Sequence, residues 1–375
     1  MKILFCLDFY YPHVGGVEVL FKNLCENLVK EGYEITILTQ KTDKYSLHKE
    51  NINGVKIERI NTFNRYFFTF LSLPRLYSLA KDCDLIHTST FASALPSYII
   101  SKLRKKKMIL TVHEVWIGKW NQVSNNSKIS NWINDKIERI IYFFNYKNYI
   151  TVSCATSNAL IDAGINKEQI TTIYNGVDYD LWDKNKYDRS KRKIHKIKKT
   201  DHLFFFSGRP GRSKGLSVLI SAFAKLAKEN KNVKLFAIVS SKNTYKKEYD
   251  ALIRQIYELN VNDRVYIHDP VKYKELPWYF MMADTVVVPS LSEGFGFVAA
   301  EAHALDLPII ATSNASLPEV VGGKHIFVSA NSVDELYCAM LRSTTNDYDK
   351  SKKKIHTYEK NIKEHIKYYK KIMNS

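Results

Sequence analysis

The first forty residues constrain the fold more than any other part of the chain. An apolar run from Ile3 to Leu7 leads into a loop holding Pro12, Gly15 and Gly16, after which Val19, Leu20, Leu24, Leu28 and Val29 recur at helical spacing. Gly32 stands where a helix C-terminal cap belongs, and Ile35 to Leu38 restarts an apolar run. Strand, glycine loop, helix and strand in that order make a βαβ unit, whose two strands pair in parallel across the helical crossover. Further short apolar runs at Leu85-Ile86, Met108 to Val112 and Tyr149 to Val152 alternate with helical stretches, which extends the same parallel sheet.

The alternation then stops and starts again. After Trp182 the chain becomes basic and poor in apolar residues, and a new strand opens at Leu203 to Phe206. Strands are expected near Lys234 to Val239, Val265 to His268, Thr285 to Val288, Ile309 to Ala311 and His325 to Val328, with helices between them. A chain of 375 residues exceeds what one core usually organises. The reading is therefore α/β with two doubly wound domains: 1–182, a basic linker 183–200, 201–350, and a terminal surface helix 351–375. That helix spaces Ile355, Ile362, Ile366 and Ile372 among lysines and is expected to pack back toward the N-terminal domain.

Charge sharpens the picture only once it is located. The formal excess is +18, but the stretches 184–199 and 350–371 together carry fifteen of those charges, leaving the remainder close to neutral. Such segments follow nucleic acid or an anionic bilayer, or are simply solvated linker and tail. Five cysteines, Cys6, Cys25, Cys83, Cys154 and Cys338, are odd in number and never spaced as a zinc or redox pair, and read as reduced core residues of a cytoplasmic protein. The opening residues do not resemble a signal peptide, and no run approaches the roughly 18 to 20 apolar residues of a membrane span.

Doubly wound domains bind ligands beyond the carboxyl ends of their strands, so the strand-to-helix joints are where chemistry belongs. Gly15 and Gly16 open the first helix, where paired glycines permit close backbone approach and the helix N-terminus favours an anion; the alternative is a plain tight turn. Ser207 to Gly215 places Arg209, Arg212 and Lys214 in a glycine-bearing loop suited to a diphosphate, as an alternative to a solvated basic loop. The segment Ser290 to Ala302 delivers Glu293 to a loop, frees backbone amides at Gly294 and Gly296 at a helix start, with Phe295 and Phe297 counted beside them as donor-binding, and sets Glu301 within that helix among alanines. A carboxylate there can accept from both hydroxyls of a ribose diol. His113 ends the strand at 108–112, where it reads equally as a sugar contact or a structural histidine.

Taken together, these segments resemble glycosyltransferase family 4, the retaining enzymes of GT-B architecture, over nearly the whole chain. Glu293 and Glu301 within SEGFGFVAAEA look like that family's pair of glutamates eight positions apart, supported in order by GGVE at 15–18, YNGVD at 174–178 and GRPGRSKG at 208–215. The resemblance implies two Rossmann-like domains facing a central cleft, with the acceptor on the first and the nucleotide sugar on the second. It implies that Glu301 holds the donor ribose, Glu293 the hydroxyls of the transferred sugar, and Arg209 and Lys214 the diphosphate. The amides of Phe295, Gly296 and Gly16 would close around that diphosphate, and His113 would lie beside the sugar. It implies no metal and no further cofactor, with a UDP-sugar first and GDP-mannose second as donor. The triplets Asp178-Tyr179-Asp180 and Asp347-Tyr348-Asp349 imitate a metal motif of another architecture and are not read as metal sites. Ala299-Ala300 and His303 depart from the family's more usual residues around the signature.

The acceptor is expected to be a glycan or a lipid-linked glycan. Residues 65–79 mix aromatics with Arg65 and Arg75, and a basic run occupies 102–107; these read either as a dock for an anionic bilayer or as a core helix beside a solvated cluster. Three rivals stand beside the transferase. A nucleotide-sugar epimerase or a phosphorylase would share the architecture but need a further catalytic acid or a cofactor lysine that the sequence does not mark. A dinucleotide oxidoreductase would need a G-x-G-x-x-G after the first strand, which is not there. A nucleic-acid-binding protein would use the linker and tail, with Tyr368 and Tyr369 as stacking platforms, although no nucleic acid is expected as partner.

Overall fold

The computed structural model describes every residue except Val14, Lys44, Ser241 and Ser375. The chain divides into two compact units, one formed by Met1–Ile117, Ile133–Gly176 and His356–Ser375, the other by Gly118–Trp132 and Val177–Ile355.

The first unit is built on an eight-stranded sheet: β1 (Lys2–Cys6), β2 (Glu34–Gln40), β3 (Lys49–Ile52), β4 (Val55–Ile60), β5 (Leu85–Ser89), β6 (Lys107–Val112), β7 (Tyr149–Thr151) and β8 (Ile170–Thr172). Its order is β3-β4-β2-β1-β5-β6-β7-β8, parallel throughout except where β3 runs antiparallel to β4. Both faces of β1 are covered, which is why it reads as an unbroken apolar run: Ile3 and Phe5 pack on one side with Phe21, Leu24 and Leu28, Leu4 and Cys6 on the other with Phe68 and Leu76. The second unit holds β9 (His202–Gly208), β10 (Val233–Val239), β11 (Val265–His268), β12 (Thr285–Val288), β13 (Ile309–Thr312), β14 (Gly323–Val328) and β15 (Asp349–Ser351). Their order is β11-β10-β9-β12-β13-β14-β15, with only β15 antiparallel to its neighbour. Among the parallel strands of each sheet the order reverses direction, beside β1 and β5 in the first and beside β9 and β12 in the second. Those reversals open the crevices where ligands of such folds are held.

Four features differ from the sequence reading. Segment 183–200 falls within the second unit and is not a free linker. Arg192 is buried, donates through Nε to Met282 O at 2.6 Å and pairs with Asp284, which also takes Arg189 at 2.6 Å. The chain passes to the second unit at Gly176, before Trp182 and not after it, because the fully buried Trp182 packs edge-on against Phe280 and Tyr273. Cys154 and Cys338 are exposed and not core residues, because they lie off the buried faces of the helices Cys154–Asp162 and Val333–Thr344. The last helix, Tyr358–Asn374, belongs to the first unit.

That helix buries Asn361, His365, Tyr368, Tyr369 and Ile372, one stripe at helical spacing, while Ile355 lies outside the helix and is exposed. Tyr369 Oη lies 2.8 Å from Nδ1 of the buried His87, whose Nε2 meets Thr111 Oγ1 at 2.7 Å. Lys107 Nζ donates to the terminal carbonyls of Ile372 and Met373 at 2.8 and 3.2 Å, a cation at the negative end of the helix. Tyr368 and Tyr369 are core residues and offer no face for a base to stack on.

Candidate active site

In the second unit the two loops flanking the strand-order reversal touch along their backbones. Leu291 N donates to Ser213 O at 2.8 Å. Gly215 has φ +69°, and a Cβ there would stand 2.0 Å from Pro289 O, so only glycine lets the loop after β9 lie this close to the loop after β12. The approach brings Lys214 Nζ to within 2.7 Å of Glu293 Oε1, which also accepts from Ser290 Oγ at 2.9 Å. Ser316 Oγ donates to the Glu293 carbonyl at 3.0 Å and fixes the backbone of the turn. The turn continues through Gly294 and Phe295 to Gly296, whose φ of +91° makes the left-handed step into the helix Phe297–Ala304. The Phe295 and Phe297 rings meet edge to face at 5.2 Å.

Arg209 leaves the same loop in another direction. Its Nη1 donates to Tyr245 Oη at 3.2 Å, with the guanidinium 5.9 Å from the ring centre. Glu301 lies on the helix after the glycine turn, 5% exposed, flanked by the buried Ala299, Ala300 and Ala302. It accepts from Tyr273 Oη at 2.9 Å. Removal from water pushes its carboxyl up to about 8, a shift the Tyr273 hydrogen bond partly offsets.

In the first unit the crevice lies beyond β1 and β5. Asp8 follows β1 and accepts from Ser93 N at 2.7 Å, Ala92 N at 3.2 Å and Arg65 Nη2 at 2.8 Å, tying three segments together. Gly15 caps the helix Gly16–Lys30, and a Cβ there would meet Glu18 Oε2 at 2.4 Å. Glu18 pairs with His13 Nδ1 at 3.2 Å, which holds the imidazole above its ordinary value. The first helical turn thus carries its own carboxylate beside the paired glycines; Val14 of the same loop lies outside the described residues. His113 follows β6, with its ring edge against Phe21 at 5.8 Å and its Nε2 shielded from solvent without a hydrogen-bond partner among the described residues. Burial lowers it to about 4, so it is neutral at physiological pH.

No group of three His, Cys, Asp or Glu side chains that could hold a metal ion occurs among the described residues. Asp178 caps its own turn by accepting from Asp180 N and Leu181 N, and Asp347 and Asp349 both pair with Arg342.

Comparison with known proteins gives this geometry its context. The model described as Glycosyltransferase Family 4 matches residues 14–181, and the model described as Glycosyl transferases group 1 matches residues 188–372. The chain is a glycosyltransferase of the GT-B fold. It is 27% identical over 337 residues to an uncharacterized glycosyltransferase of Methanocaldococcus jannaschii, covering 86% of this chain and 83% of that one. Among solved structures it resembles sucrose-phosphate synthase from Thermosynechococcus elongatus, with a TM-score of 0.77 at 19% identity over the full length of both chains. It also resembles Anabaena HepE in complex with UDP and glucose, with a TM-score of 0.76 at 17% identity, covering 99% of this chain and 100% of that one.

Within this glycosyltransferase the residues singled out from sequence fall into distinct groups. Lys214 and Glu293 are in direct contact, and the glycine turn continues from Glu293 into the helix that carries Glu301. Arg209 and Glu301 are each engaged by a tyrosine, and Gly15, Gly16 and His113 belong to the other unit. Sequence reasoning missed Tyr273, Trp182 and Tyr245, which carry no motif. It also passed over Asp8, whose one available signal was a carboxylate directly after the apolar run of β1.

Proposed function

We propose that the protein moves a hexosyl unit from a nucleoside diphosphate sugar to a glycan or lipid-linked acceptor, with retention of anomeric configuration. The observation that carries this reading is the Lys214–Glu293 contact at the strand-order reversal of the second unit, which puts an ammonium and a carboxylate beside a glycine-rich helix start. An ammonium has three donors, so Lys214 can hold Glu293 and a phosphate oxygen together, coupling the group that grips the sugar to the group that stabilises the leaving diphosphate. Arg209 adds a second cation, and the amides of Phe295 and Gly296 complete the anion site. Glu301 takes the ribose diol. Neutral His113, after β6 of the first unit, is suited to act as a hydrogen-bonding group and not as a cation. No protein nucleophile and no metal is assigned. UDP is the first expectation for the nucleotide, in line with the Anabaena complex, and GDP-mannose the second.

The test is a thermal-shift screen with UDP, GDP, ADP and their sugars on the wild type and Glu301→Ala. A ligand that binds only the folded state raises its stability by about 2.7 kcal/mol at a hundredfold excess over Kd. A shift with one nucleotide that vanishes in the variant supports the reading; a folded protein that shifts with none overturns it. Retention is checked by NMR of the first-formed anomer, and metal independence by undiminished transfer in EDTA.

The acceptor side rests on the surface of the first unit. Helices Arg65–Leu71 and Leu73–Leu79 bury Phe68 and Leu76 but expose Tyr66, Phe67, Phe70 and Tyr77, with Phe63 ahead of them 93% exposed. The end of the helix Ala94–Leu103 adjoins them: Arg104 stacks 3.6 Å from the Tyr77 ring centre, beside exposed Lys102, Leu103 and Lys105. No helix among the described residues is long and apolar enough to cross a membrane. Aromatics fringed by cations suit the surface of an anionic bilayer, and we assign this face to peripheral docking on the cytoplasmic side, where a lipid-linked acceptor is presented. Flotation with phosphatidylglycerol vesicles should recover the wild type, and Phe63→Ser/Phe70→Ser should stay at the bottom. Equal recovery of both would remove this assignment.

A further inference from the structure

Trp182, Tyr273 and Glu301 form a chain of hydrogen bonds whose direction is fixed by chemistry. Trp182 Nε1 lies 3.1 Å from Tyr273 Oη, and Tyr273 Oη lies 2.9 Å from Glu301 Oε1. An indole N–H can only donate, so the tyrosine oxygen accepts from Trp182, and with Glu301 ionised its own proton is turned toward the carboxylate. The indole cannot drift, being 0% exposed and wedged edge-on between Phe280 at 5.0 Å and Tyr273 at 5.9 Å. Tyr273 stands in the 3₁₀ turn Tyr273–Glu275, and Glu301 on the helix Phe297–Ala304 among alanines too short to hold a carboxylate in one rotamer. Tyr273 supplies that constraint by engaging one carboxylate oxygen.

We propose that Trp182 and Tyr273 are positioning residues that fix Glu301 in the orientation needed to accept both hydroxyls of a ribose, and that this relay sets discrimination between ribonucleotide and 2′-deoxyribonucleotide donors. The inference rests on the reading that Glu301 holds the donor ribose. Bonds in such a chain polarise one another, so loss of the Trp182 donor weakens the Tyr273 contact without abolishing it. Geometric selection of this kind acts on the hydroxyls alone. A general loosening of the fold would weaken both nucleotides equally.

The experiment is calorimetric titration of UDP and 2′-deoxy-UDP into the wild type, Tyr273→Phe, Trp182→Phe, the double variant and Glu301→Gln, at pH values from 6 to 9. The wild type should prefer UDP. At pH 9, where Glu301 is ionised, Tyr273→Phe should lose about tenfold in UDP affinity and little for the deoxy ligand, as expected for a hydrogen bond to a charged group. Trp182→Phe should show a smaller loss of the same kind, and the double variant should be no weaker than Tyr273→Phe alone. The pH at which UDP affinity reaches half its maximum should move upward in Tyr273→Phe, since a donor to the carboxylate has been removed. Equal losses for both ligands, an unmoved pH profile, or a folded Tyr273→Phe that binds like the wild type would each overturn the relay. If Glu301→Gln itself binds UDP like the wild type, the ribose assignment fails instead. Folding of each variant is checked by its melting temperature.

Discussion

Glu301 should make the protein less stable as pH rises, and Glu301→Gln should remove that dependence. Its ordinary value is 4.5 and burial raises it to about 8, so between those limits the folded chain holds one proton more than the unfolded chain. The favourable contribution is complete below 4.5, declines as pH increases, and is gone above the folded value. Within that window the slope is about 1.4 kcal/mol per pH unit, or roughly 3 kcal/mol between pH 5.5 and pH 7.5. Glutamine does not titrate, and its carbonyl still accepts from Tyr273. The quantity to measure is the difference in urea-unfolding free energy between wild type and variant at several pH values, in which other titrating groups cancel. Near-UV circular dichroism follows the transition. The variant should gain on the wild type steadily across the window. Parallel curves would refute the assignment of a buried, proton-holding Glu301.

Three further outcomes follow from the packing. Gly215→Ala puts a side chain against Pro289 O in a left-handed backbone, and should cost about 1–3 kcal/mol or more in a denaturation curve and abolish nucleotide binding; an unchanged melting temperature would contradict the close loop contact. Tyr369→Phe leaves Nδ1 of buried His87 without its hydroxyl partner, which should cost about 1–3 kcal/mol by urea unfolding with little change in nucleotide affinity, since the pair lies in the core of the first unit. Lys214→Met should reduce nucleoside diphosphate affinity at least about tenfold by calorimetry, whereas nucleoside affinity should hold, as the proposed role of the ammonium on phosphate requires. Equal losses for nucleoside and diphosphate would count against that role.

The parts of the fold legible in the sequence were those whose cause is local. Central parallel strands such as β9 and β12 are apolar on both faces and announce themselves as continuous runs. The antiparallel pair β3 and β4 escaped because Lys49, Glu50, Lys56, Glu58 and Arg59 give it the polar character of an edge, and β15 is Asp-Lys-Ser, with no apolar residue at all. In the terminal helix the isoleucines gave the helical spacing, but of the five buried residues only Ile372 is one of them, and Tyr369 supplies both bulk for the core and a hydroxyl for His87. The site follows the same rule. Glycines, cations and carboxylates close in sequence could be read together, and the structure brings Lys214 and Glu293 into contact from two loops. Tyr273 and Trp182 meet across 91 positions, and no spacing in the sequence connects them.

The placement of the terminal helix bears on how the protein is made. Residues that complete the core around Phe5 and Phe21 leave the ribosome some 350 positions after the strand they cover. While the second unit can close on its own chain, the first must wait with an apolar groove open until residues 358–374 have emerged. A nascent or prematurely terminated product lacking residues 358–374 would therefore be exposed to chaperones and proteases through its N-terminal half, although every one of that half's strands has already been translated.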